Sequence, residues 1–384
     1  MSGDMLSTKL PGKGTNIFTV MSEMAQDHGA INLAQGFPDF DGPPGLLEGV
    51  ARHIAQGHNQ YAPLAGVPRL REQIAAKALD LYKCKIDPDR EVAVTPGATE
   101  AIFCAITAVV SPGDEVIIFD PAYDTYEPGV TLNGGITRHI GLQYPDFVID
   151  WQQVRDAISD RTRLVILNTP NNPTGTLWSA EDIQHLREAI SGRNILLISD
   201  EVYEHIYFDG EQHLSLLRYP DLAARSFVIS SFGKTYHTTG WRVGYCIAPP
   251  PLMDEFLRIH QFINFSTHTP MQYAIADFLN ECRQHHRELG SFYQHKRDLF
   301  LKLMSPSRFE LIPSKGTYFQ LAGYGAISEE PDTEFSARLT REHKVASIPV
   351  SVFYNKAPDQ KVIRFCFAKH DETLNEAAKI LVDL

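Results

Sequence analysis

Between Val92 and Pro249 the chain repeats one pattern, a short and nearly continuous apolar run followed by a stretch with helical spacing. The runs are Val92 to Val94, Glu115 to Phe119, Arg163 to Leu167, Asn194 to Ser199, Ser226 to Ser230 and Val243 to Ala248. Runs without polar alternation need cover on both faces, and strands separated by helices obtain it in a parallel sheet. Residues 99–110 and 179–190 carry the helical spacing, with Ser179 placed as an N-cap and Asp182 three residues on. The fold class expected is α/β. After Thr269 the pattern becomes a long helical stretch to about Met304, then short strands and helices, which predicts a second, smaller α+β domain. A helix over 17–28, stopped by Gly29, belongs to either domain on this reading.

At 384 residues the chain is long enough for two domains with separate cores. A formal charge of −12, with no basic stripe to offset it locally, argues against a nucleic-acid partner and for small molecules. The diffuse acidic surface reads as an aid to solubility. Cys84, Cys104, Cys246, Cys282 and Cys366 are widely spaced, form no CxxC pair and read as reduced core residues. Met1 to Gly14 has no apolar leader core, and no run approaches membrane-spanning length, so a cytoplasmic protein without a membrane partner is expected. There is no HExxH motif; His285, His286 and His295 lie in a polar helical stretch and read as solvated, while His205 and His237 read as packed, so no metal site is expected.

In open α/β sheets ligands sit beyond the carboxyl ends of the strands. The residues there are unusually chemical. After the first run, Gly97, Ala98 and Thr99 open a helix, where free backbone N–H groups, the helix dipole and a hydroxyl suit an anion. The second run ends at Asp120-Pro121-Ala122-Tyr123, the third at Asn168 to Gly175 with Asn172, and the fourth at Asp200-Glu201-Val202-Tyr203. The fifth leads into Ser231, Lys234 and, beyond, Arg242. Singly, these read as a helix cap, an edge aromatic, a turn and a surface lysine. Together they supply what pyridoxal phosphate needs. A lysine takes its aldehyde, donors hold its phosphate, an aromatic ring stacks on it, and a carboxylate keeps its pyridine nitrogen protonated.

Ser231 to Gly244, with its Ser-x-x-Lys and Gly-Trp-Arg-x-Gly, stands beside Asn-Asn-Pro-Thr-Gly and Asp-Glu-Val-Tyr. In these motifs the chain resembles a fold-type I, class I aminotransferase over nearly its whole length. The resemblance implies a large domain, 45–280, with a mostly parallel seven-stranded sheet between helices, and a small domain made of 1–44 and 281–384. It implies that Lys234 bonds the cofactor, Asp200 faces the pyridine nitrogen, and Tyr203 and Asn172 meet the ring's phenolic oxygen. Gly97, Ala98, Thr99, Ser231 and Arg242 then form the phosphate cup, with Tyr123 stacked on the ring. Tyr61 falls where the family sends a tyrosine from a neighbouring subunit to the phosphate, which implies a homodimer with shared active sites.

An arginine within the alternating apolar stretch Val362 to Phe367 is costly to bury unless a carboxylate meets it. Outward-facing, Arg364 would be unremarked; with the resemblance it matches the arginine that holds the amino-acid carboxylate, assisted by Asn172 and the backbone near Gly36. The segments 31–43, 60–63 and 347–353 resemble the subgroup of kynurenine, glutamine and methionine aminotransferases, bacterial methionine aminotransferases most of all. Phe37, Tyr61 and Phe353 would wall a side-chain pocket suited to a thioether or an aromatic ring. The stretch from His260 to His268 lacks the second arginine often used by dicarboxylate-specific relatives. The reaction implied is a ping-pong transfer from methionine, aromatic amino acids or glutamine to a 2-oxo acid, with the freed Lys234 moving the Cα proton. Two other readings share the same residues. One is a pyridoxal-phosphate C–S β-lyase. The other is a non-catalytic amino-acid sensor, against which stand the absence of a DNA-binding segment before Ile17 and the full set of catalytic groups.

Overall fold

The computed structural model describes residues 8–384; Met1 to Ser7, the first part of the stretch read above for a leader, lie outside the described residues. Twelve strands appear among them. In chain order they are β1 (Ile31–Asn32), β2 (Val92–Thr95), β3 (Glu115–Asp120), β4 (Ile136–Gly141), β5 (Thr162–Asn168) and β6 (Leu196–Asp200). There follow β7 (Ser226–Ser231), β8 (Gly244–Ile247), β9 (Phe319–Gly323), β10 (Val345–Ala346), β11 (Ile348–Pro349) and β12 (Val362–Cys366).

Seven of these form one sheet in the order β2-β8-β7-β6-β5-β3-β4. Only β8 runs against its neighbours. Successive side chains of a strand point to opposite faces, and here both faces are dry. Val116 and Ile118 of β3, with Leu164 and Ile166 of β5, pack on the helices Ala98–Val109 and Pro250–Ile263. Ile117, Phe119, Val165 and Leu167 face the other core, with Leu70, Ile74 and Leu186. Each such side chain contributes about 1.5–3 kcal/mol when buried fully. β4 was not among the apolar runs because it lies at an edge of the sheet, where exposed Ile136 and Arg138 alternate with half-buried Thr137 and His139.

Local signals set the helix boundaries. Ser179 accepts a hydrogen bond from Asp182 N, and the Asp182 carboxylate takes the Ser179 N–H, closing a capping box on the helix Ala180–Ala189. Asn16 Oδ1 accepts from Phe18 N at 2.7 Å and starts the helix Ile17–Asp27. The expected single helical stretch from 269 to 304 is instead two helices, Thr269–Glu281 and Gln284–Met304, separated at Cys282 and Arg283.

A second, antiparallel sheet, β11-β12-β9, packs against the helices Gln284–Met304, Asp332–His343 and Asp371–Val382 around Phe300, Phe335, Phe365 and Leu374. The N-terminal segment joins this part of the molecule, since β1 pairs in parallel with β10 and Cys366 N donates to Leu33 O at 2.8 Å. Three expectations are corrected by packing. Cys282 is exposed at the helix break and is not a core residue. His286 is buried, 5 % exposed, its ring 5.0 Å from that of His205. His285 is half-buried and hydrogen-bonds Thr235 O at 3.0 Å, so only His295 of the three is solvated. A polar helix hides its buried face when the partner it meets is itself a polar cluster. Among the described residues no helix is long and apolar enough to cross a membrane.

Candidate active site

The carboxyl ends of β2, β3, β5, β6 and β7 share one edge of the large sheet, and the reversed strand β8 begins there. Reversal is why Arg242, two residues before β8, reaches the same place as residues that follow the other strands. One cavity at this edge is lined by Ala98, Thr99, Tyr123, Asn172, Asp200, Tyr203, Ser231, Lys234 and Arg242.

Lys234 sits in the short helix Phe232–Thr235 that follows β7. Its Nζ lies 5.7 Å from the ring centroids of both Tyr203 and Tyr318. It makes no hydrogen bond or ion pair with a described residue. Burial, and then the nearby charge of Arg242, lower its pKa to about 8. A neutral amine is the form that attacks a carbonyl, so the surroundings favour the reactive state.

Asp200 ends β6 and is 3 % exposed. Burial raises its carboxyl to about 6, against a hydrogen bond of 2.6 Å from the Tyr126 hydroxyl to Oδ2 and another from Val202 N to Oδ1. Asn168 Nδ2 and Thr169 N both donate to the Asp200 carbonyl and fix the strand end. Tyr203 is buried, and its ring meets Tyr318 edge-on at 5.1 Å. Burial pushes its phenol far above the ordinary range.

The Gly97–Thr99 turn is shaped by close approach. Gly97 has φ +81°, and a Cβ there would fall 2.7 Å from Arg242 Nη2. A Cβ on Gly244 would fall 2.8 Å from Ala98 N. Two strands and a helix start therefore converge where only hydrogens fit. Arg242, itself at φ +54°, is open to solvent, with Nη1 on Thr239 O at 3.2 Å and Nη2 3.5 Å from Thr99 Oγ1. The Tyr123 ring stands edge-on to Tyr126 at 5.8 Å.

Arg364 of β12 is fully buried. Nη1 donates to Asn172 Oδ1 at 2.6 Å and Nη2 to Ala34 O at 2.9 Å, while Nε has no partner among the described residues. Phe319 lies 3.8 Å beneath the guanidinium, with Phe18 at 5.2 Å and Phe353 at 5.9 Å. Burial lowers its pKa to about 10, so it stays cationic at neutral pH. A buried cation with a free donor on an aromatic bed is a carboxylate site in wait. Gly36 is packed so that a Cβ would fall 2.6 Å from Phe319, and its carbonyl accepts from Tyr318 OH at 2.7 Å.

Three other expected residues lie apart from the cavity. Phe37 is half-buried, its ring 4.4 Å from Lys369 Nζ, which also donates to the Phe37 carbonyl. Tyr61 is 82 % exposed, against Phe265. Phe353 is buried with Phe18, Met21 and Ala34. Its segment is latched to the end of β3, as Ala122 N donates to Phe353 O and Asn355 N to Asp120 Oδ2, each at 2.9 Å. His139 Nδ1 holds the same carboxylate at 3.0 Å. Tyr126, Tyr318 and Phe18 were missed by sequence reasoning. Of these only Tyr126, three residues after Tyr123, carried a signal.

Among the described residues one group has the spacing of metal ligands, where His260 Nδ1 lies 2.8 Å from Glu100 Oε1 and Cys104 donates to the same oxygen at 3.0 Å. This trio is bonded to itself.

The residues at the sheet edge fit pyridoxal phosphate in their donor chemistry: an unpaired amine, a buried carboxylate, an aromatic face, and helix-start N–H groups beside an arginine. Comparison with known proteins agrees. The model of the family "Aminotransferase class I and II" matches residues 28–381. A methionine aminotransferase of Escherichia coli (strain K12) is 52 % identical over 377 residues, 98 % of each chain. Human kynurenine–oxoglutarate transaminase 3 is 31 % identical, with 97 % of this chain and 89 % of that one aligned. The crystal structure of YbdL from Escherichia coli, described there as having a methionine aminotransferase function, superposes with a TM-score of 0.97 at 52 % identity over 99 % of this chain and 100 % of that one. The chain belongs to the class I and II aminotransferases, and pyridoxal phosphate is its cofactor.

Proposed function

We propose that the protein transfers the amino group of methionine to a 2-oxo acid by a ping-pong mechanism, with aromatic amino acids and glutamine as further donors. When bound, the cofactor supplies an aldehyde for the amino group and an electron-withdrawing ring. Lys234 holds it covalently between turnovers, and once displaced its amine takes the Cα proton and returns it on the other side of the transfer. Asp200 would meet the ring nitrogen as an anion. Tyr203 and Asn172 would donate to the ring's oxygen, Gly97, Ala98, Thr99, Ser231 and Arg242 would hold the phosphate, and Tyr123 would stack on the ring. Arg364, with Asn172 and the backbone at Gly36, grips the amino-acid carboxylate and so turns the Cα–H bond toward Lys234.

The observation that carries this reading is the unpaired Lys234 amine between a buried carboxylate, Asp200, and a buried guanidinium with a free donor, Arg364. Methionine as donor is supported by the likeness to the Escherichia coli enzyme and by the apolar surroundings of Arg364, where Phe18 and Phe353 offer rings to a thioether. Phe37 belongs to that wall on this reading, and Tyr61 would reach it from a neighbouring subunit, which the exposure of Tyr61 supports. We take 45–280 as the large domain and 1–44 with 281–384 as the small one, which β1–β10 pairing supports. The test has two parts. The loaded protein should show a visible band that fades with methionine and returns with oxo acid; no covalent capture at Lys234 would end the reading. A panel of donors at one fixed oxo acid, ranked by kcat/KM, should place methionine ahead of aspartate.

A further inference from the structure

Behind Asp200 stands a phenol that the reaction outlined above does not use. Tyr126 opens the helix Tyr126–Leu132 and is 3 % exposed. Its hydroxyl donates to Asp200 Oδ2 at 2.6 Å, while the remaining oxygen, Oδ1, has only the longer contact of 3.3 Å from Val202 N. Tyr126 also lines a separate cavity, together with Phe119, Asn168 and Trp178. It thus touches both that cavity and the carboxylate of Asp200, which is not among the cavity's lining residues.

We propose that Tyr126 is a positioning residue for the transfer: its hydroxyl holds Asp200 ionised and aimed at the cofactor's ring nitrogen, and its ring shields that carboxylate from the cavity behind. The inference rests on the reading of Asp200 given under Proposed function. A buried carboxylate escapes its desolvation cost by taking up a proton, and a neutral acid cannot hold a pyridinium. The groups that face Asp200 are Lys234 from the helix after β7, Glu201 next to it in the chain, Tyr203, and Tyr126 with Tyr123 behind it. Lys234 favours the anion but is consumed by the cofactor as an amine, and Glu201 opposes it. A phenol adds no charge and stays in place through turnover. Burial and the Asp200 charge hold the Tyr126 hydroxyl well above its ordinary pKa, so the proton stays on the phenol and the charge on the carboxylate. A hydrogen bond to an ionised partner is roughly twice as strong as a neutral one.

The test is Tyr126→Phe, which removes one oxygen and keeps the ring. With Asp200 less anionic, the ring nitrogen carries less positive charge, and the imine nitrogen conjugated with it across the ring becomes more basic. The pH midpoint of the bound cofactor's visible band should therefore rise by about half a unit or more. The dissociation constant for pyridoxal phosphate should rise about tenfold, with the apo-protein melting temperature close to wild type. In an Asp200→Asn background the same change should shift neither quantity, since the effect passes through the carboxylate. Wild-type midpoint and affinity in Tyr126→Phe would overturn the proposal, and so would an equal effect in the Asp200→Asn background. A wild-type protein that captures no cofactor would overturn the functional reading as well, and that outcome is visible before any variant is made.

Discussion

Two lysines lie close to the large sheet, Lys77 buried and Lys234 half-buried, and they are treated in opposite ways. Lys77, 9 % exposed, donates to Glu204 Oε1 at 2.6 Å and to Tyr245 OH at 2.7 Å, and lies 3.2 Å from His205 Nε2. Glu204 in turn accepts from the hydroxyls of Tyr82, Ser230 and Tyr245. Burial works to raise the Glu204 carboxyl, but the Lys77 charge and these donors outweigh it and hold it well below its ordinary range. Lys234 has no such partner, and two arginines, Arg242 and Arg364, add to burial in lowering its pKa. One lysine is satisfied and structural. The other is left short of partners, and that shortage favours its neutral amine.

The comparison is open to attack from its strongest side first. Lys234→Ala should reduce transfer by about 10⁴-fold or more, with little change in apo-protein melting, because no hydrogen bond is lost. A large fall in stability would erase the contrast. Lys77→Ala should do the reverse, costing about 3–5 kcal/mol in urea unfolding by leaving Glu204 buried and unpaired. The folded fraction should keep its activity. Arg364→Ala should raise KM for methionine about a hundredfold, on the scale of a lost charged hydrogen-bonding partner, while cofactor binding is unchanged. Loss of bound cofactor there would move Arg364 out of the substrate role.

Two milder tests use pH. Capture of pyridoxal phosphate by the apo-protein should quicken as the Lys234 amine deprotonates and level off above about 8. A rate that keeps climbing toward the ordinary lysine range would show an unperturbed amine. For Glu204 the sign is the opposite of a group with a raised pKa. A folded-state value depressed below the unfolded one contributes stability that is full above the ordinary carboxylate range and is lost as pH falls through the folded value. Acid titration of stability should therefore separate wild type from Glu204→Gln above that range, and the two should converge in stronger acid.

Much of this was legible in the chain. Six of the seven strands of the large sheet announced themselves because dry faces demand apolar side chains throughout, and β4 did not because an edge tolerates Arg138 and His139. The residues of the cavity were legible because strand ends collect ligands, so proximity in space followed from a rule about topology. What stayed hidden depends on contacts between distant segments. Phe18 meets Arg364 only because β1 pairs with β10 and swings the helix before it over β12. Tyr318 reaches Gly36 across the same junction. His286 read as solvated because its helix is polar, and the polarity of the cluster it faces, around Lys77 and Glu204, appears in no single segment.

The latch between the end of β3 and the turn at Phe353 has a mechanical consequence. It is made by the Ala122 N–H on the Phe353 carbonyl and by the Asp120 carboxylate on the Asn355 N–H, so it grips backbone at the pocket side and leaves the Phe353 side chain out of the joint. The segment that carries Phe353 is therefore geared to the strand end that carries Tyr123. Any drift of the C-terminal sheet is transmitted to both, and their spacing is kept. Because the joint is made by backbone groups and by Asp120, a change of the Phe353 side chain alters its packing with Phe18 and Met21 and leaves both hydrogen bonds of the latch in place.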